Sequence, residues 1–91
     1  MSNEKVILRF LDKKEAKTPT RDIINGVYVY KGNTLTSTGE KLINYSTIIA
    51  YFKGDTLYIN TSKYSITTSK IQSKLRFLAS ETNYTIKEYE A

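Results

Sequence analysis

Apolar residues along this chain fall in short runs separated by polar turns, a spacing that predicts mostly strands. Lys5–Leu11, KVILRFL, is apolar at both parities and predicts a strand covered on both faces, at about 5–11. Asp12–Arg21, DKKEAKTPTR, is charged and holds the single proline, so it predicts a loop. Val27-Tyr28-Val29-Tyr30 alternates at strand period, and Lys31-Gly32-Asn33 signals a turn into a partner strand at about 34–37. Together these form a first hairpin. Gly39 and Glu40 mark the next connection.

The longest β pattern runs from Leu42 to Phe52, with Ile43, Tyr45, Thr47, Ile49 and Tyr51 on one parity. Lys53-Gly54-Asp55 turns it tightly into a strand at 56–60, a second hairpin. Thr61-Ser62-Lys63 turns again into a short strand at 64–67, which completes a three-stranded antiparallel meander.

At Ser69 the periodicity changes. Ile71, Leu75, Leu78 and Ala79 form one helical stripe and predict a helix at about 70–80. Ser69 and Gln72 have the spacing of a capping box, in which the Ser69 hydroxyl accepts from the third helical N–H and Gln72 reaches back. Asn83 breaks the helix, and 84–89 can form a last strand. The expectation is a single α+β domain over 1–91. It has a curved antiparallel sheet, built from two hairpins plus terminal strands, with one α-helix from the C-terminal half packed on it.

Composition agrees with a globular domain: 40% hydrophobic and 25% charged residues over 91 positions support one modest core. With no cysteine, disulfide and thiolate chemistry are excluded, and the N-terminal apolar run is too short for a signal peptide or membrane span. A cytoplasmic protein without membrane contact is the expectation. Fourteen Lys and Arg against nine Asp and Glu give a net charge of +5, which favours nucleic acid or an acidic protein surface as partner. The excess is uneven. Between Asp55 and Glu81 no acidic residue occurs, while Lys63, Lys70, Lys74 and Arg76 do.

Little catalytic chemistry is available. There is no histidine, the carboxylates are scattered singly, and no glycine-rich loop exists to cradle a phosphate. Ser69-Lys70 and Ser73-Lys74 are adjacent pairs, which point about 100° apart on a helix and are not poised for proton transfer. No enzyme activity, cofactor or metal is expected.

Two surfaces invite a binding role. Ser69 is either a helix cap alone or a cap within an anion site, where Thr67, Thr68 and Lys70 flank free helix-start amides. On the helix itself, Lys70, Ser73, Lys74 and Phe77 fall opposite the apolar stripe. Phe77 either folds over the sheet edge or the N-terminal segment, or anchors a partner amid lysines. Eight tyrosines are many for this length. They are either ordinary strand residues or, with lysines, a platform that stacks bases.

The run Tyr45-Ser46-Thr47-Ile48-Ile49-Ala50-Tyr51, the Gly54-Asp55 turn, Leu57-Tyr58-Ile59-Asn60 and the block Lys63–Leu75 together resemble a small uncharacterised domain. That domain is carried by bacteriophages and other mobile elements of low-GC Gram-positive bacteria. The resemblance covers roughly 43–79, and its most specific part is the block YS-x-TTSK-x-Q-x-x-L at 64–75. It brings no established activity and no catalytic residue to transfer. It implies a phage or mobile-element accessory protein acting in the cytoplasm of a bacterial host.

In that context the first expectation is a non-enzymatic inhibitor of a host protein, such as a nucleic-acid-directed defence effector, in the manner of anti-CRISPR proteins. The basic charge disfavours mimicry of DNA. The alternative is a nucleic-acid-binding module using Lys63, Lys70, Lys74 and Arg76 on phosphates and tyrosines on bases. A third reading is a binder of a nucleotide signal at the helix start. Unpaired edge strands also make a homodimer an open possibility. The sequence leaves open the partner, the oligomeric state and which sheet face is exposed.

Overall fold

The structure, a computed structural model, describes residues 3–18, 21–24, 26–30 and 35–91. It is an α+β fold in which two helices cover one face of an open six-stranded sheet. In chain order the elements are α1 (Asn3–Leu11), β1 (Glu15–Lys17), β2 (Arg21–Ile24), β3 (Val27–Tyr30), β4 (Leu35–Thr38) and β5 (Lys41–Asn44). Then follow β6 (Thr47–Lys53), β7 (Thr56–Asn60), α2 (Ile66–Ala79) and β8 (Thr85–Tyr89). The sheet order is β1-β4-β5-β6-β7-β8, antiparallel except for the parallel β7–β8 pair. A parallel pair needs a crossover, and α2 provides it.

The first correction is at the N-terminus. The expected strand at 5–11 is helix α1, because Val6, Ile7, Phe10 and Leu11 recur at helical spacing and are buried, while Leu8 and Arg9 face out. A continuous apolar run does not separate the two periods; the buried pairs Val6-Ile7 and Phe10-Leu11 on either side of the exposed pair Leu8-Arg9 do. The helix stops in a Schellman motif: the Lys13 N–H donates to Phe10 O (2.8 Å) and the Lys14 N–H to Arg9 O (2.8 Å). Lys13 takes the left-handed conformation there, with φ 60°.

The expected loop 12–21 contains β1 and the first residue of β2. β1 is held to β4 by the Ser37 hydroxyl donating to Lys14 O (2.8 Å) and by the Thr18 N–H donating to Leu35 O (3.0 Å). The expected hairpin between 27–30 and 34–37 does not form. β3 pairs back with β2, and β4 pairs with β1 and β5. The turn expected at 31–33 lies outside the described residues. The connection at Gly39-Glu40 does join β4 to β5, and Gly39 has φ 92° with the Lys13 carbonyl oxygen 3.0 Å from where a Cβ would stand.

The single strand expected over 42–52 is two strands, β5 and β6, folded back on each other at Tyr45-Ser46. Tyr45 reverses the chain with φ 56°, a conformation more usual for glycine or asparagine. A bulge follows: Leu42 pairs with Ala50 but Ile43 with Ile48, so Ile49 is the extra residue. The bulge lets Ile49 and Ala50, neighbours in sequence, both be buried. The Gly54-Asp55 turn and β7 stand as expected.

The strand expected at 64–67 is absent; 61–65 is irregular and α2 begins at Ile66 rather than 70. The meander's third place is taken by β8, which runs parallel to β7. The expected stripe on α2 holds, with Ile71, Leu75 and Ala79 buried and Leu78 half-buried against the core. These residues meet Val6, Ile7 and Phe10 of α1 and Leu35, Leu42, Ile49, Leu57 and Ile59 of the sheet. Among the described residues, no helix is long and apolar enough to cross a membrane.

Candidate binding surfaces

The start of α2 is built from the block at 64–75. Ser65, not Ser69, is the N-cap: its hydroxyl oxygen accepts from the Thr68 N–H (3.3 Å), and its backbone conformation is extended. The Ser65 hydroxyl in turn donates to Thr68 Oγ1 (3.2 Å), which donates to the buried Asn44 Oδ1 (2.6 Å). Gln72 does not reach back to the helix start. Its amide donates to Asn60 O (2.8 Å) and Ser62 O (3.1 Å), tying α2 to the end of β7. The Asn60 side chain donates to Ile48 O (3.1 Å) and to the Tyr64 hydroxyl (2.8 Å). Ser65, Thr68, Gln72 and Tyr64 therefore have a structural use within the block.

This geometry revises the expected anion site. The Ser69 N–H donates to Ser65 O (2.9 Å) as an ordinary helical bond, so Ser69 offers no free helix-start amide. Thr68 points inward, and the side chain of Thr67 lies outside the described residues. Arg76 lies beside Glu88 of β8, at 3.5 Å. Lys63 and Arg76 border a small hollow of about 150 Å³ with Ser69 and Ser73.

The remaining expected residues do come together. Ser69, Lys70, Ser73, Lys74 and Phe77 line a shallow groove of about 560 Å³ on the outer side of α2, joined by Tyr64 and Ile66. Phe77 is 64% and Ile66 77% exposed, so Phe77 does not fold over the sheet edge or onto the N-terminal segment. Ile66 was missed because a strand was expected at its position. α2 holds no acidic residue, so the rim of the groove is wholly basic.

A second surface is the sheet face turned away from the helices. Alternation from the buried Leu42, Leu57 and Ile59 puts Lys41, Tyr51, Tyr58 and Lys87 on it. The Tyr51 and Tyr58 rings stack with centroids 4.9 Å apart and planes 11° apart, and Tyr89 approaches Tyr51 at 5.5 Å. Burial, with the Tyr51 and Tyr64 phenols nearby, pushes the Tyr89 hydroxyl above its ordinary pKa. Separately, Lys13 lies over the Phe52 and Tyr84 rings and within 3.6 Å of Asp55, so this cation belongs to the rim of the core.

A third hollow, about 660 Å³, lies between the ends of the two helices and is lined by Leu8, Leu11, Leu78 and Tyr84 with Asp12 and Glu81. Among the described residues, no group of three or more His, Cys, Asp or Glu is placed to hold a metal ion. No family model, curated protein or solved structure matches this chain. Its function has to be read from its surfaces.

Proposed function

We propose that this chain is a non-enzymatic binding protein that inhibits a host protein by occupying an acidic, partly apolar surface on it. The observation that supports the reading is the outer side of α2. Ile66 and Phe77 stand in solvent at either end of a groove whose charged residues, Lys70 and Lys74, are all basic. Exposed large apolar side chains have no use within the fold, and an aromatic ringed by charge is the usual form of an interface anchor. The charge sign selects the partner: a carboxylate-rich rim around an apolar centre complements it, whereas a cationic nucleic-acid channel repels it. The resemblance to phage and mobile-element domains adds the context, the cytoplasm of a bacterial host and an anti-defence role.

The test is affinity capture from a low-GC Gram-positive lysate treated with nuclease, comparing the natural chain with Phe77→Ser and Lys70→Glu/Lys74→Glu. A host protein retained by the natural chain and lost by both variants is the expected result. Recovery of no protein after nuclease treatment, or equal recovery with all three, would sink the reading.

A further inference from the structure

From the sheet face opposite the helices, we infer a second binding site, for single-stranded nucleic acid, along the row Lys41–Tyr51–Tyr58–Lys87. This inference does not rest on the α2 groove. It follows from register. Lys41 pairs with Tyr51, Tyr51 with Tyr58, and Tyr58 with Lys87, so four adjacent strands present one lysine, two tyrosines and one lysine side by side. Three inter-strand steps of roughly 4.8 Å make the row about 14 Å long.

The middle of the row is a platform. Tyr51 and Tyr58 stack face to face, so each ring covers one face of the other and keeps one outer face for a base, and Tyr89 lies tilted beside Tyr51 in the next residue row. All three are half-buried rather than buried, since both helices pack on the other face. Every base has a flat π-face that such rings can stack, whatever its identity.

Charge completes the match. Alternation puts Lys17 and Lys53 on the same face, and among the described strands of this sheet the acidic residue it places there is Glu15, on the far edge strand. Glu88 points to the helix side, beside Arg76. Lysines at both ends of a stacking platform suit a backbone that carries one phosphate per base. A paired duplex keeps its bases stacked on one another and offers the rings no free base face, so the site selects single strands.

The nucleic acid is thereby moved from the helix, where the lysines surround Ile66 and Phe77, to the sheet. Sequence spacing alone cannot place Lys41 and Lys87 at the two ends of one row.

The experiment uses the full chain with fluorescein-labelled 15-mers of oligo(dT) and oligo(rU), and a 15-base-pair duplex, read by anisotropy across about 50–200 mM salt. The chain has no tryptophan, so its intrinsic fluorescence reports the tyrosines directly. Expected are saturable binding to the single strands, weaker binding to the duplex and quenching of tyrosine emission. Tyr51→Leu or Tyr58→Leu should weaken binding at least about fivefold. Lys41→Ala and Lys87→Ala, both surface changes that leave the core intact, should each lower the salt slope by about 0.7. The proposal is overturned if no single strand binds at low salt, or if the duplex binds as well and the tyrosine and lysine variants change nothing. It is equally overturned if binding is instead abolished by Lys70→Glu/Lys74→Glu while Lys41→Ala and Lys87→Ala bind like the natural chain.

Discussion

Thr68 Oγ1 donates to Asn44 Oδ1 across 2.6 Å, a short bond between the first turn of α2 and the last residue of β5. It joins segments 24 residues apart, and both side chains are buried. The same hydroxyl accepts from Ser65, so the three residues form a relay from the cap to the sheet. Thr68→Val keeps the shape, deletes that relay and leaves the Asn44 amide in the interior. It should cost about 1–3 kcal/mol, seen as a lower urea midpoint at unchanged slope. Ser73→Ala, on the exposed side of the same helix, should stay within about 0.5 kcal/mol.

The position of the cap separates two serines four residues apart. Ser65→Ala removes the side-chain acceptor of the Thr68 N–H and should cost about 1 kcal/mol. Ser69→Ala removes no capping bond and should be close to neutral, within about 0.5 kcal/mol, because the Ser69 N–H is already bonded inside the helix. Equal losses for the two serines in urea titrations would put the helix start in the wrong place.

Those two serines also show what could be read from residues alone. Both fit a cap by type, and choosing between them required Asn44, which is distant in sequence. The Gly54-Asp55 hairpin was legible because its turn chemistry is local, and the α2 stripe because helical spacing is local. The Tyr45-Ser46 reversal was not, since tyrosine at φ 56° violates the usual preference and tertiary context overrides it. The Ile49 bulge was hidden for a related reason: one extra residue reverses parity midway through the strand. The grouping of Lys70, Lys74 and Phe77 followed from spacing on one helix, whereas the Lys41–Lys87 row needs three strand registers at once.

The helical nature of α1 has a signature of its own. Ile7 is buried and its neighbour Leu8 is 46% exposed, although the two are equally apolar. Ile7→Ala should cost about 2–5 kcal/mol, as an interior cavity does. Leu8→Ala should cost no more than about 0.5 kcal/mol. Val6→Ala should resemble Ile7→Ala, because consecutive buried residues fit a helix face and not one face of a strand. Large losses at 6 and 8 with none at 7, measured by thermal or urea unfolding, would restore a strand.

Stability at high pH should depend on Tyr89. Its pKa in the folded chain is raised above 10.0, first by burial and then by the neighbouring Tyr51 and Tyr64 phenols. The neutral phenol is the form the fold favours. Well below pH 10 the hydroxyl is protonated both folded and unfolded, and it adds no slope. Above that point the unfolded chain loses the proton first, so the unfolded state binds fewer protons than the native state and stability falls as pH rises. The loss should continue until the folded phenol itself ionises. Tyr89→Phe cannot ionise and should show a shallower decline across the same alkaline range. The check is a pair of urea titrations on each protein, one near pH 8 and one above pH 10, with an ultraviolet titration to follow phenolate formation. Identical declines in the two proteins would mean that Tyr89 ionises as easily folded as unfolded, and that the tyrosine cluster on the open sheet face is looser than its ring distances imply.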